Sequence, residues 1–227
     1  MAARIDLSAS DQAQISAAVR AAERGTSGEI VTILADRSDD YADVALWWSV
    51  AVAFLALVAL CLMPDLYLGL ADRVLGQWAQ DWRPRAVLEL ALTVASLKFA
   101  GMWLLLLWRP LRLALVPSVI KARRVRARAV QCFRTAAERR TAGRTGILLY
   151  LSLAERRAEI VADEAIHARV DAAEWGKAMA DLIVPVRDGR VADGLVAAIS
   201  DVGAILAQHL PRASDDVNEL PDRIIAL

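Results

Sequence analysis

From Leu46 to Met63 the sequence runs for eighteen residues without a charged side chain, and no other feature limits the possible folds as strongly. At 1.5 Å per residue a helix of that length reaches about 27 Å, close to the ~30 Å of bilayer hydrocarbon. The competing reading is a helix buried in a soluble core. A second apolar run, Ala86 to Trp108, contains Glu89 and Lys98. A central lysine costs roughly 3 kcal/mol on insertion, while each Leu, Val or Phe returns about 0.3–0.6 kcal/mol. The second run is therefore expected to cross as well. Trp47 and Trp48 open the first run, Trp103 and Trp108 close the second, and Trp78 and Trp82 lie between them. Tryptophan favours both membrane–water interfaces. In the connection from Pro64 to Arg85, Leu66, Leu70, Val74, Trp78 and Trp82 recur every four residues, which predicts a helix lying on the membrane surface.

Net charge is zero, with 27 basic and 27 acidic side chains, so only the distribution of charge is informative. Asp65, Asp72 and Asp81 balance Arg73, Arg83 and Arg85 in the connection. Beyond the second run Arg109, Arg112, Lys121, Arg123, Arg124, Arg126, Arg128 and Arg134 accumulate. The positive-inside rule places this flank in the cytoplasm. Two crossings return the chain to the side it left, so residues 1–45 are expected there too. Met1 to Asp43 lacks the basic-then-apolar pattern of a cleavable leader, and the first apolar run is expected to direct the chain to the membrane. Lys121, Arg123, Arg124, Arg126 and Arg128 are expected to meet anionic lipid headgroups rather than nucleic acid, because they follow a span directly. Cys61 and Cys132 do not form a disulfide framework. His167 and His209 are too isolated to suggest a zinc site.

Outside the apolar runs the periodicity is that of a soluble α/β domain. Ser8 and Asp11 form a capping-box pattern ahead of Ile15, Ala18, Val19 and Ala22, predicting a helix over about 10–24. Glu29 to Leu34 reads as a strand. Residues 118–141 read as a basic crossover helix with Val125, Ala129, Cys132, Phe133 and Ala136 on one face. Gly146 to Leu153 and Ala158 to Asp163 read as an antiparallel pair around the turn Ala154–Arg157. Two helices, about 171–187 and 191–209, follow. Neither half closes a core alone. Together they supply three strands with helices on the faces. The expected division is thus 1–43 and 118–210 for the two halves of one domain, 44–117 for a hairpin with spans at 46–63 and 86–108, and 211–227 for a tail.

Several segments taken in order resemble the TPM domain family, named for a thylakoid lumen phosphatase, a photosystem repair protein and a nematode receptor modulator. They are Thr26-Ser27-Gly28-Glu29-Ile30-Val31 with Tyr41; Thr145 to Tyr150; Glu155 to Asp163; Trp175; Arg187-Asp188-Gly189-Arg190 with Gly194; and Asn218-Glu219-Leu220-Pro221-Asp222. The likeness is to bacterial membrane members whose domain is interrupted by a hairpin of spans, which implies a plasma (inner) membrane location. The resemblance implies a small three-layer α/β/α sandwich with a mixed sheet. It also implies either an auxiliary role in membrane complexes or an acid phosphatase activity that uses divalent ions. Where members carry a glycine-rich turn after the third strand, this chain has Asp163-Glu164-Ala165-Ile166.

Two sets of residues could carry function. Asp36 ends the first strand, followed by Asp39 and Asp40, and Asp163 and Glu164 end the third. If those strands finish at one sheet edge, five carboxylates gather there, and clustered oxygens suit Ca²⁺ or Mg²⁺. The competing reading is that they are turn and capping residues. Lys98 is an intramembrane polar residue: Glu89 lies nine positions away, half a turn round the helix, and cannot pair with it. Lys98 is expected either to snorkel or line a wet groove, or to meet a partner span, such as Ser49 of the first helix, a homo-oligomer or another membrane protein. The pattern favours a non-catalytic auxiliary or scaffold over a phosphatase, since no nucleophile-and-base set stands out.

Overall fold

The computed structural model describes residues 7–75, 82–136, 145–171, 173–213 and 223–227. The chain divides into two compact units. One joins Met1–Asp40 to Ser118–Leu227, and the other is Tyr41–Pro117.

In the first unit, helix α1 (Ala9–Glu23) starts where expected. Ser8 Oγ accepts from the Asp11 amide and Asp11 Oδ2 accepts from the Ser8 amide, each at 3.1 Å. These bonds satisfy two amides that a helix start leaves without partners. Strand β1 (Glu29–Ala35) is buried along its whole length, as a central strand with both faces covered must be. Strands β2 (Gly146–Ser152) and β3 (Arg157–Ala162) form the expected hairpin. Their turn holds Arg156 at φ 51°, a left-handed conformation uncommon for a residue with a side chain. Helices α6 (Ser118–Ala136), α8 (Glu174–Arg187) and α9 (Val191–His209) complete the unit, along with the one-turn helix α7 (Glu164–His167).

The expected three strands are joined by a fourth. Strand β4 (Ile225–Ala226) adds to the free edge of β1, and the sheet order is β3-β2-β1-β4. β1 runs parallel to β2, from Glu29↔Gly146 to Ala35↔Ser152, and parallel to β4. β3 runs antiparallel to β2. The sheet is therefore mixed. Alternation of side chains assigns Ile30, Leu34, Ile147, Leu149 and Leu151 to one face, where they pack with residues of α1, α8 and α9. Val31, Ile33, Leu148 and Tyr150 occupy the other face with Val125, Ala129, Cys132 and Phe133 of α6. The result is the α/β/α sandwich.

The second unit contains α2 (Ala42–Leu62), α3 (Pro64–Leu75), α4 (Pro84–Leu105) and the short α5 (Arg109–Ala114). α2 packs against α4. Leu66, Leu70 and Val74 form an exposed stripe on α3. Among the described residues three helices are long and apolar enough to cross a membrane: α2, α4 and α9. Burial separates them. The apolar stretch of α9 is 44% buried, against 22% for α2 and none for α4. Leu195, Ala198, Ile199, Val202 and Leu206 of α9 are core residues of the sandwich, so its apolar stripe is already covered by protein. Phe54, Leu55, Leu88, Leu92 and Leu97 of α2 and α4 are exposed. Trp78, the end of the helix expected to reach 141, and the segment 218–222 lie outside the described residues.

Candidate functional site

The five carboxylates expected at one edge are divided between two. A seven-residue strand is about 20 Å long. Asp36 lies at the end of β1, where its carbonyl accepts from the Ala154 amide just beyond β2. Asp163 lies at the opposite end, exchanging backbone and side-chain bonds with Gly146, the first residue of β2. The expectation failed on direction: β2 parallels β1, and the hairpin then reverses the chain, so β1 and β3 finish at opposite ends of the sheet. As a set, Asp36, Asp39, Asp40, Asp163 and Glu164 do not fit one Ca²⁺ or Mg²⁺, which needs its oxygens within about 2.0–2.6 Å of a single point. No group of three or more His, Cys, Asp and Glu able to hold a metal ion occurs among the described residues.

The edge after β1 and β2 still concentrates polar chemistry, though largely through residues outside that carboxylate set. Glu155 is buried. Its carboxylate accepts from the Ser38 amide at 3.1 and 3.3 Å and from the Ser152 hydroxyl. The Tyr150 and Ser38 hydroxyls are 3.0 Å apart. Arg124 reaches from α6 to Asp39 at 2.8 Å, and Arg37 pairs with Asp40 at 2.7 Å. Burial pushes the Tyr150 hydroxyl above its usual range; the Ser38 bond and Arg128 pull it partly back, while Cys132 and Glu155 add to the rise. Burial likewise raises the Cys132 thiol, against the opposing charge of Arg128. Both groups are thus held neutral, the opposite of what a poised nucleophile needs. A sequence signal for this network existed: a tyrosine inside a fully apolar strand requires a partner for its hydroxyl.

At the other edge Asp163 Oδ2 accepts from the Gly146 amide at 3.0 Å, clamping the start of β2. Glu164 is exposed in the first turn of α7. On α6, Arg124 and Arg126 bind carboxylates of their own unit, Asp39 at 2.8 Å and Glu159 at 3.0 Å. Arg128 donates to Gln131 at 3.0 Å. Arg123 is exposed and Lys121 half-buried. Lys98 is exposed on α4. It does not meet Ser49, which is wholly buried and donates to the Ala45 carbonyl at 2.8 Å.

A parallel β1–β2 core, a β2–β3 hairpin and helices on both faces define a mixed α/β/α domain. The TPM domain model matches residues 110–205, from within α5 through most of α9. Among solved structures, the NMR structure of the BA42 protein from the psychrophilic bacterium Bizionia argentinensis is similar, with a TM-score of 0.57 and 19% identity over 100% of both chains. That likeness speaks for the fold alone. A search of the curated proteins gave no match.

Proposed function

We propose that this chain is a two-pass protein of the bacterial inner membrane whose sandwich domain serves as a non-catalytic auxiliary or scaffold on the cytoplasmic face. The observation that carries the anchoring is the exposure of α4: none of its most apolar stretch is buried, and Leu88, Leu92 and Leu97 each expose more than half their surface. Apolar patches of that extent need a lipid or protein cover. Sheet pairing adds a constraint of its own. β1 and β2 lie side by side, so the chain between Ala35 and Gly146 crosses a membrane an even number of times. The α2–α4 pair supplies two crossings, with the exposed stripe of α3 suited to the interface between them. The basic flank on α6 supports a cytoplasmic domain, and the exposed Arg123 is available to anionic headgroups.

The scaffold role draws on how the carboxylates are spent. Asp39, Asp40, Glu155 and Asp163 each accept bonds from guanidinium, hydroxyl or backbone donors of the same unit. Those are the bonds of a rigid frame. Two measurements test the proposal. A cytoplasm-active reporter fused at Leu227 should be active and a periplasm-active one silent; the reverse overturns the topology. Purified protein should release no phosphate from a generic aryl ester with Ca²⁺ or Mg²⁺ present; metal-dependent release that chelation abolishes would establish a phosphatase instead.

A further inference from the structure

We infer that α4 binds a second membrane-spanning helix, from a different polypeptide, that carries an Asp or Glu at the depth of Lys98. The inference rests on the membrane-spanning reading of α2 and α4 and names the partner's chemistry. Lys98 makes no hydrogen bond or ion pair among the described residues. The other two charges of α4 cancel one another, Arg85 and Glu89 pairing at 2.9 Å. The middle of the helix is thus left with one cation and no compensating group of its own.

Snorkelling does not resolve this. The near end of α4, Leu105, is seven residues beyond Lys98, about 10 Å along the axis, and Pro84 is fourteen residues before it, about 21 Å. Helical side chains lean toward the N-terminus of their helix. Lys98 therefore leans toward the far interface and away from the near one. A charged group held at such depth pairs with another polar group or with water.

The occupant is not a second copy. A parallel two-fold pair would bring two Lys98 ammonium groups to the same depth, where they repel. From Ala42 to Leu105 the carboxylates are Asp43, Asp65, Asp72, Asp81 and Glu89. Of these, only Asp43 and Glu89 lie on α2 or α4: Asp43 is in the first turn of α2, and Glu89 is nine residues from Lys98 and already paired. Among the described residues, no carboxylate of α2 or α4 therefore stands at the required depth. There is room for a foreign helix: one turn beyond Lys98, a methyl added at Gly101 would meet nothing within 4 Å. Small residues at such places allow backbones to approach closely in a membrane.

The test uses the full chain reconstituted in phosphatidylcholine vesicles with a labelled leucine–alanine host helix carrying one Asp at the matching depth. Energy transfer should show the Asp host associating on the order of tenfold more tightly than an all-apolar host. The preference should vanish in Lys98→Leu and reappear in Lys98→Asp against a host bearing Lys. Equal association of both hosts, or an Asp preference that survives Lys98→Leu, overturns the inference. Carbonate extraction tells its failure from that of the reading beneath it. A chain washed from the vesicles refutes the spanning assignment. A retained chain that is indifferent to the host's Asp refutes the partner alone.

Discussion

Gly203 of α9 faces α1 so closely that a methyl placed on it would lie 2.5 Å from Ala22 Cβ and 3.0 Å from Ala22 Cα. Carbon atoms pack at about 3.5–4.0 Å, so Gly203→Ala would push the two helices apart by about 1 Å or more. Two effects of opposite sign compete. Alanine is the better helix former by about 1 kcal/mol, whereas overpacking costs about 1–3 kcal/mol, and here the obstacle includes backbone that cannot rotate aside. The expected net loss is about 1–2 kcal/mol. Hydrogen exchange of β2 peptides isolates the opening of this unit from the apolar insertion. Exchange should quicken about 5–30-fold. Adding Ala22→Gly removes the nearer obstacle and cancels the propensity terms, and should recover part of the loss, since the 3.0 Å approach to the Ala22 Cα remains. Slower exchange in Gly203→Ala would mean that propensity outweighs the contact, and a double variant no better than the single one would place the strain elsewhere. Either result refutes the packing argument.

Asp163→Ala should lower the stability of the sandwich by about 1–2 kcal/mol through loss of the acceptor for the Gly146 amide, read by the same exchange, while Asp163→Asn keeps most of it. Unchanged exchange in the alanine variant would deny the clamp. Tyr150 has a raised pKa because its charged form is disfavoured by burial; folding therefore favours the protonated hydroxyl. That contribution is complete below about pH 10, a tyrosine's ordinary value, and is lost as pH rises through the raised range. The fall in denaturant midpoint above about pH 10 should be shallower in Tyr150→Phe than in wild type. Cys132, buried and with a raised pKa, should resist a water-soluble maleimide at neutral pH until the chain is unfolded; rapid labelling of the native protein would contradict its place on the sheet-facing side of α6. Lys98→Leu should leave the membrane-inserted fraction unchanged in a carbonate wash, and if insertion is lost, α4 is not a span.

The apolar runs, the capping box and the β2–β3 hairpin were legible because each is local: apolar length, a side chain three residues from its amide, alternation around a turn. The two-residue strand β4 carries no such signal. Ile225 and Ala226 become a strand only because the edge of β1 offers the backbone bonds that the Leu227 amide and carbonyl also use, to Leu34 and Asp36. The carboxylate cluster was misplaced for a related reason. Periodicity locates strands but does not give their direction, and the reversal at Arg156 moves Asp163 away from Asp36. Glu155 read as a turn residue in the sequence. Its burial depends on Ser38 and Ser152 arriving from two different strands' ends, a meeting that only the fold creates.

The pairing of Glu29 with Gly146 also sets a schedule for biosynthesis. β1 leaves the ribosome with no neighbour on either side, since β2 and β4 both lie downstream of the apolar hairpin. At ~5–20 residues per second, its Ile-Val-Thr-Ile-Leu run waits on the order of ten seconds for a partner. During that interval a largely apolar strand stands open on both edges while the apolar hairpin is still being made. The nascent chain has its greatest need for a chaperone then, before any part of the sandwich can close.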